Sequence, residues 1–306
     1  MPGKYSNLSS VFRGSLVALV TPMTQSGEID YQALTSLIDW HIESGTHGLV
    51  VMGTTGESSL VSQDELVATV AATVEYVSGK IPVIAGCGSA STQHVLDLLG
   101  ELNNVDVDGY LCVTPYYVKP SQEGLITHYQ QVAEAADKPV LLYNVPGRTA
   151  CDLSNESVVV LSQHPNIVGI KDATGDIDRV KELKKSLPED FVLLSGDDAT
   201  ALDFMKAGGH GVISVTANIA PKAMSLWCEM MLKKADKRQA EEIFEQLMPL
   251  HEKLFIEGNP IPIKWAMHYI SKIEDGIRLP LSQPSESSKG ILIEMLKLTE
   301  SVRNLE

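Results

Sequence analysis

No apolar run in this chain approaches the roughly 20 residues that a membrane-spanning helix needs, which argues against a membrane protein of the helical kind. The first residues, MPGKYSNLSSVFRGS, contain no apolar core of the sort a secretion signal carries. Cysteine is scarce: Cys87, Cys112, Cys151 and Cys228 stand far apart and form no C-x-x-C pair. They read as reduced thiols in a cytoplasmic protein, mostly core filler. The 8 histidines show no H-x-x-x-H or H-E-x-x-H spacing, so no metal site is indicated. Basic residues are outnumbered, 24 Lys and Arg against 39 Asp and Glu, for a formal charge of −15. A nucleic-acid surface needs clustered Lys and Arg, and this balance argues against one. It does not identify an anionic substrate, because local fields can oppose the net charge.

What is present is a rhythm. Short apolar runs recur at 15–20, 48–52, 82–86, 109–113, 139–143, 167–171, 191–195 and 211–215, each followed by a longer amphipathic stretch. Near-continuous hydrophobic runs are expected of parallel strands covered on both faces. Between them lie helical patterns with start signals. In the 62–77 segment Ser62 is an N-cap candidate, with Glu65 three residues later to complete a capping box. The 121–136 and 197–208 segments carry similar starts, the second closing on Gly208 and Gly209. Eight strand-then-helix units in about 230 residues predict an α/β fold, a (β/α)8 TIM barrel. An open doubly wound sheet is the alternative, but LVTPM stands where its G-x-G-x-x-G turn would follow the first strand. From residue 222 onward the pattern is helical without strands, at 236–258, 261–273 and 285–304. We therefore expect a barrel over 1–221 and a C-terminal helical extension over 222–306.

In such a barrel the chemistry sits at the C-terminal ends of the strands. There the sequence places GTTGESS (53–59), TPYYVKPS (114–121), NVPGRTACD (144–152) and GDDAT (196–200), and the sixth strand ends in Lys171. The opposite ends carry ordinary turns such as DKP and HPN. Alternation puts Ile167, Gly169 and Lys171 on one face. If that face is the interior, desolvation favours the neutral amine, a nucleophile that condenses with a carbonyl to form a Schiff base. The bland alternative is a lysine that has left the strand and pairs with Asp172 in solvent. Thr54 and Thr55 begin a glycine-flanked loop whose N–H groups could hold a small carboxylate; the alternative is a tight turn with capping threonines. Tyr143 ends a strand otherwise made of aliphatics, and a phenol beside a Schiff base carries protons. Arg148 suits bidentate capture of a carboxylate, or else a surface ion pair.

These segments, GTTGES, TPYY, YNVPGRT, GIKDATGD, LLSGDDAT and GHGVISVTAN, together with NPIPIKWAM in the tail, resemble the dihydrodipicolinate synthase family. The resemblance runs from about Phe12 to the C-terminus. It implies condensation of pyruvate with L-aspartate 4-semialdehyde in diaminopimelate and lysine biosynthesis, without metal or organic cofactor. Lys171 matches the Schiff-base lysine, and Tyr143 the tyrosine that relays protons. Thr54 matches the threonine linking that tyrosine to a second one, here Tyr117, which in the family reaches in from the neighbouring subunit. Thr55 matches a pyruvate-carboxylate contact, and Ile213 a backbone contact near the same ligand. Arg148 matches the arginine that receives the semialdehyde carboxylate, and Gly196 sits where backbone lies close to substrate. A homotetramer made of two dimers is the implied assembly. Related pyruvate-dependent aldolases, such as N-acetylneuraminate lyase and keto-deoxy-sugar aldolases, would share Lys171 and Tyr143 but not Arg148 within YNVPGRT. A non-catalytic keto-acid-binding barrel would be marked by loss of the lysine or the tyrosine, and both are present.

One departure from the family carries a prediction. Many bacterial members are inhibited by lysine, in a pocket built from two histidines, an asparagine and a glutamate among other groups. Here Ser58 and Tyr116 remain at matching positions, while Gln63 and Leu66 replace the histidines and Ala90 and His94 replace the asparagine and glutamate. Each acceptor lost to a desolvated ammonium costs roughly 2 kcal/mol. Two such losses weaken binding about a thousandfold. Inhibition by lysine is expected to be weak or absent at physiological concentrations; strong inhibition at sub-millimolar lysine, in an assay coupled to the downstream reductase, would show the pocket rebuilt from other residues.

Overall fold

The structure, a computed structural model, describes residues 11–234 and 236–305. Each apolar run forms a strand: β1 Gly14–Ala18, β2 Gly48–Val51, β3 Val83–Gly86, β4 Gly109–Val113, β5 Val140–Asn144, β6 Ile167–Asp172, β7 Val192–Ser195 and β8 Gly211–Ser214. Every neighbouring pair is parallel, and β1 pairs with both β2 and β8, so the sheet closes on itself. The intervening helices are α1 Tyr31–Glu43, α2 Gln63–Val77, α3 Thr92–Leu102, α4 Gln122–Ala135, the short α5 Pro146–Thr149, α6 Asn155–Leu161, α7 Ile177–Ser186 and α8 Ala201–Lys206. After β8 come α9 Pro221–Lys233, α10 Lys237–Lys253, α11 Ile261–Tyr269, α12 Glu286–Leu298 and α13 Glu300–Arg303. The expected boundary at 221/222 falls on the first turn of α9, which packs against β1 and α10.

Local signals account for most helix starts. Ser62 caps α2 and Glu65 returns a bond to the Ser62 N–H (2.9 Å), completing the expected box. Ser121 caps α4 through the Gly124 N–H at 3.2 Å, without a box because glycine stands at the third helical position. The expected helix over 197–208 is shorter, beginning at Ala201. Its acidic start is spent elsewhere: Asp197 accepts from Thr200 N (3.2 Å) and Asp198 from the N–H groups of Val215 (2.9 Å) and Thr216 (3.0 Å). Asx side chains compete for backbone donors in this way.

Two apolar layers result. The larger packs the outer strand faces against the helices, and the smaller fills the barrel with Leu16, Ala18, Val50, Ile84, Leu111, Leu141, Tyr143, Val192, Leu194 and Ile213. All four cysteines are buried and unpaired. Strict alternation along β6 does not hold. Val140 pairs with Ile167 but Leu141 with Gly169, a one-residue register shift. Ile167 therefore joins the outer layer and Val168 packs on the interior. Gly169 and Lys171 face inward as expected, because regular alternation resumes beyond the bulge.

Candidate active site

Lys171 is 6 % exposed and directly registers with Tyr143, itself 6 % exposed, on β5. Its Nζ lies 4.2 Å from the centroid of the Tyr143 ring, over the negative face of the phenol. Among the described residues no carboxylate lies within ion-pair range of that amine. The solvent pair with Asp172 does not form. Asp172 points to the other face of the strand, where it pairs with Arg179 at 2.9 Å and accepts from Thr174 N at 3.0 Å. Asn144, which registers with Asp172, bridges it (3.4 Å) to Asp152 (2.6 Å). The lysine–tyrosine pair thus faces in while an equally buried polar pair, one residue on, anchors the two strands from outside.

The amine opens into a cavity of about 180 Å³ at the C-terminal ends of the strands, walled in part by Thr54, Thr55, Tyr143, Arg148, Gly196 and Asn259. Gly196 is there for space. A Cβ on it would stand 2.7 Å from Ala173 Cβ and 2.8 Å from Lys171 Cε, closer than atoms approach without something moving. Thr55 is buried and its Oγ1 accepts from Asn259 Nδ2 at 2.9 Å. Arg148, on α5, donates through Nη2 to the Asn259 carbonyl at 3.1 Å. No carboxylate pairs with it among the described residues, so the surface ion pair is not seen. A fixed guanidinium without an anion, at the mouth of a cavity, is suited to an incoming carboxylate.

Two of the expected residues lie elsewhere. Ile213 is one layer down in the barrel interior, and Val215 forms the cavity wall on that side. Tyr117 is 87 % exposed, held in the left-handed region (φ 75°) on the loop after β4, with its N–H bonded to Thr149 O at 3.2 Å. Asn259 and Phe255 were not singled out from the sequence, although NPIPIKWAM was. Asn259 meets Thr55 across 204 residues of chain, a proximity that no local pattern carries. A larger cavity, about 380 Å³, lies beside Trp40, Lys222 and Arg303. It contains none of the rim residues, which line the smaller one.

A closed parallel barrel with an unpaired amine in its mouth defines a class: (β/α)8 enzymes that act on carbonyl compounds by covalent attachment to lysine. The sequence model of the Dihydrodipicolinate synthetase family matches residues 11–299, and the chain belongs to that family. The 4-hydroxy-tetrahydrodipicolinate synthase of Pseudoalteromonas atlantica is 49% identical over 288 residues, covering 94% of this chain and 98% of that protein. That of Pseudomonas syringae pv. syringae is 51% identical over 274 residues, covering 90% and 94%. Among solved structures, the chloride-inhibited dihydrodipicolinate synthase from Acinetobacter baumannii complexed with pyruvate superposes with a TM-score of 0.92 at 47% identity, covering 94% of this chain and 99% of that one.

The crowding at Gly196 predicts the outcome of a single methyl. Gly196→Ala is expected to displace the Lys171 stem and to cost about 1–3 kcal/mol by overpacking. Denaturant unfolding reads the second effect and a crystal structure of the variant the first; an unmoved lysine in a variant of unchanged stability would show that the strand end yields instead.

Proposed function

We propose that this chain condenses pyruvate with L-aspartate 4-semialdehyde to 4-hydroxy-tetrahydrodipicolinate, in the cytoplasm, as a step of diaminopimelate and lysine biosynthesis. The observation that carries this reading is Lys171: buried, free of any ion pair among the described residues, and opening into a cavity beside Tyr143. No salt bridge has to break before its amine attacks. The amine adds to the C2 carbonyl of pyruvate, and loss of water leaves an imine on Nζ. The imine is an electron sink, so the pyruvate methyl gives up a proton and becomes an enamine. Its carbon attacks the aldehyde of the semialdehyde, forming the new C–C bond. The semialdehyde amine then displaces Lys171 from the imine carbon, which closes the ring and frees the enzyme. Tyr143, in contact with the amine, relays protons in these steps, and Thr54 links it to Tyr117 of a neighbouring subunit. Thr55 receives the pyruvate carboxylate, with the backbone at Gly196 beside the same ligand and Ile213 packed in the layer beneath it. Arg148 receives the carboxylate of the second substrate. The retained Arg148 within YNVPGRT favours this substrate pair over the sugar acids of the related aldolases.

Borohydride reduction in the presence of pyruvate tests the chemistry. One covalent adduct is expected, at Lys171, and none in Lys171→Arg, because arginine stays protonated. In Arg148→Ala the adduct should form normally, while kcat/KM for the semialdehyde falls by about tenfold or more, as losing a charged contact of roughly 2–5 kcal/mol requires. An adduct elsewhere, or none, sinks the mechanism.

The assembly we propose is a homotetramer of two dimers, with Tyr117 completing the partner's site. Its 87 % exposure and its absence from the lining of its own chain's cavity support that reading. Mixing inactive Tyr117→Phe and Lys171→Ala subunits is then expected to restore turnover, since one mixed site holds every group. No recovery, with subunit exchange demonstrated, would count against a shared site.

A further inference from the structure

The loop that carries Thr54 and Thr55 is held from behind by charge. Glu57, at its far end, stands in the left-handed region (φ 59°), where a residue with a side chain is strained. Its carboxylate is 0 % exposed and forms an ion pair with Lys264 of α11, whose side chain is 4 % exposed. The second carboxylate oxygen accepts from Arg278 N at 3.1 Å. Arg278 in turn grips Glu65 with both guanidinium ends, at 2.8 and 2.5 Å, and reaches the carbonyls of Gly27 (2.9 Å) and Leu60 (3.2 Å). The Arg278 guanidinium holds the Glu65 carboxyl well below the usual range, at about 2. From the same extension, Asn259 donates to Thr55.

Stability alone does not account for the two buried charges. An apolar pair of similar volume is commonly as stable or more so, whereas breaking one partner is strongly destabilising. Burial pushes the Lys264 ammonium below its ordinary range, against the pull of Glu57. What the charged pair supplies is direction: one fixed position for a strained loop, imposed from α11.

We propose that Lys264 and Glu57 are positioning residues, and that their ion pair sets the threonine loop so that Thr55 meets the carboxylate of a 2-keto acid bound at Lys171. The proposal rests on the condensation reading above and adds to it a role for the helical extension. It is specific to one substrate, because the loop forms the keto-acid end of the cavity, whereas Arg148 lies on α5.

The double variant Glu57→Gln/Lys264→Met removes both charges at nearly constant volume and leaves no unpaired ion. Its half-saturating pyruvate concentration in borohydride trapping is expected to rise by about tenfold, the effect of one decade in affinity. KM for the semialdehyde and kcat at saturating pyruvate should change far less. Glu57→Asp, which keeps the charge but withdraws it by one methylene, should shift the pyruvate dependence in the same direction. Unchanged pyruvate dependence in whichever variant folds, or an equal rise for both substrates, overturns the proposal and leaves the pair a structural one. Absence of trapping in the unsubstituted protein would instead refute the condensation reading itself.

Discussion

Closure of the parallel sheet turns Lys171 into the barrel, and the cost of placing a lysine amine there organises everything around it. A buried ammonium is normally compensated by a carboxylate or by several acceptors. Here the described residues provide the face of the Tyr143 ring and an open cavity. Asp172, the nearest carboxylate in sequence, is turned to the outer face and occupied by Arg179 and Thr174. Strand geometry enforces that separation, since successive side chains point to opposite faces. The same strand therefore presents a free amine inward and a satisfied acid outward. Gly196 completes the arrangement by having no side chain where the lysine stem passes.

The floor of the cavity comes from strand residues such as Ala18, Val50, Leu111, Tyr143 and Lys171, while Thr54, Thr55, Gly196 and Asn259 come from loops, which are more mobile unless something ties them. The helical extension supplies the ties. Asn259 contacts Thr55 through its side chain and Arg148 through its carbonyl, so a single residue spans the two carboxylate-binding ends of the proposed site. Lys264 and Arg278 fix the base of the threonine loop. On β7 and β8, Asp198 ties the loop after one strand to the backbone beyond the other. The eight-stranded core provides placement, and the extension provides rigidity, which is what preorganised chemistry requires.

The exposed Tyr117 is the one expected catalytic group that the chain does not bring to its own cavity. A large aromatic held out on a left-handed turn costs both solvation and backbone energy. That cost is accounted for if a second subunit covers it, and the proposed function needs such a partner.

Much of this was legible in the sequence because the signals are local. Eight apolar runs spaced by amphipathic segments encode strands and helices through side-chain periods of 2 and 3.6. The rim motifs follow from the rule that barrel chemistry sits where strands end. Lys171 was visible as a charge at the end of an apolar strand, and Gly196 as a glycine in the same rim. Packing decided the rest. The bulge at Ile167–Gly169, which turns Ile167 outward, depends on how β5 and β6 fit side by side. Asp197 and Asp198 read as a helix start, but nearby and distant backbone donors compete for them. Asn259 with Thr55, and Lys264 with Glu57, lie more than 200 residues apart, at 204 and 207. Periodicity and capping reach only a few residues along the chain. Contacts across such distances exist only once the barrel has closed and the extension has packed on it.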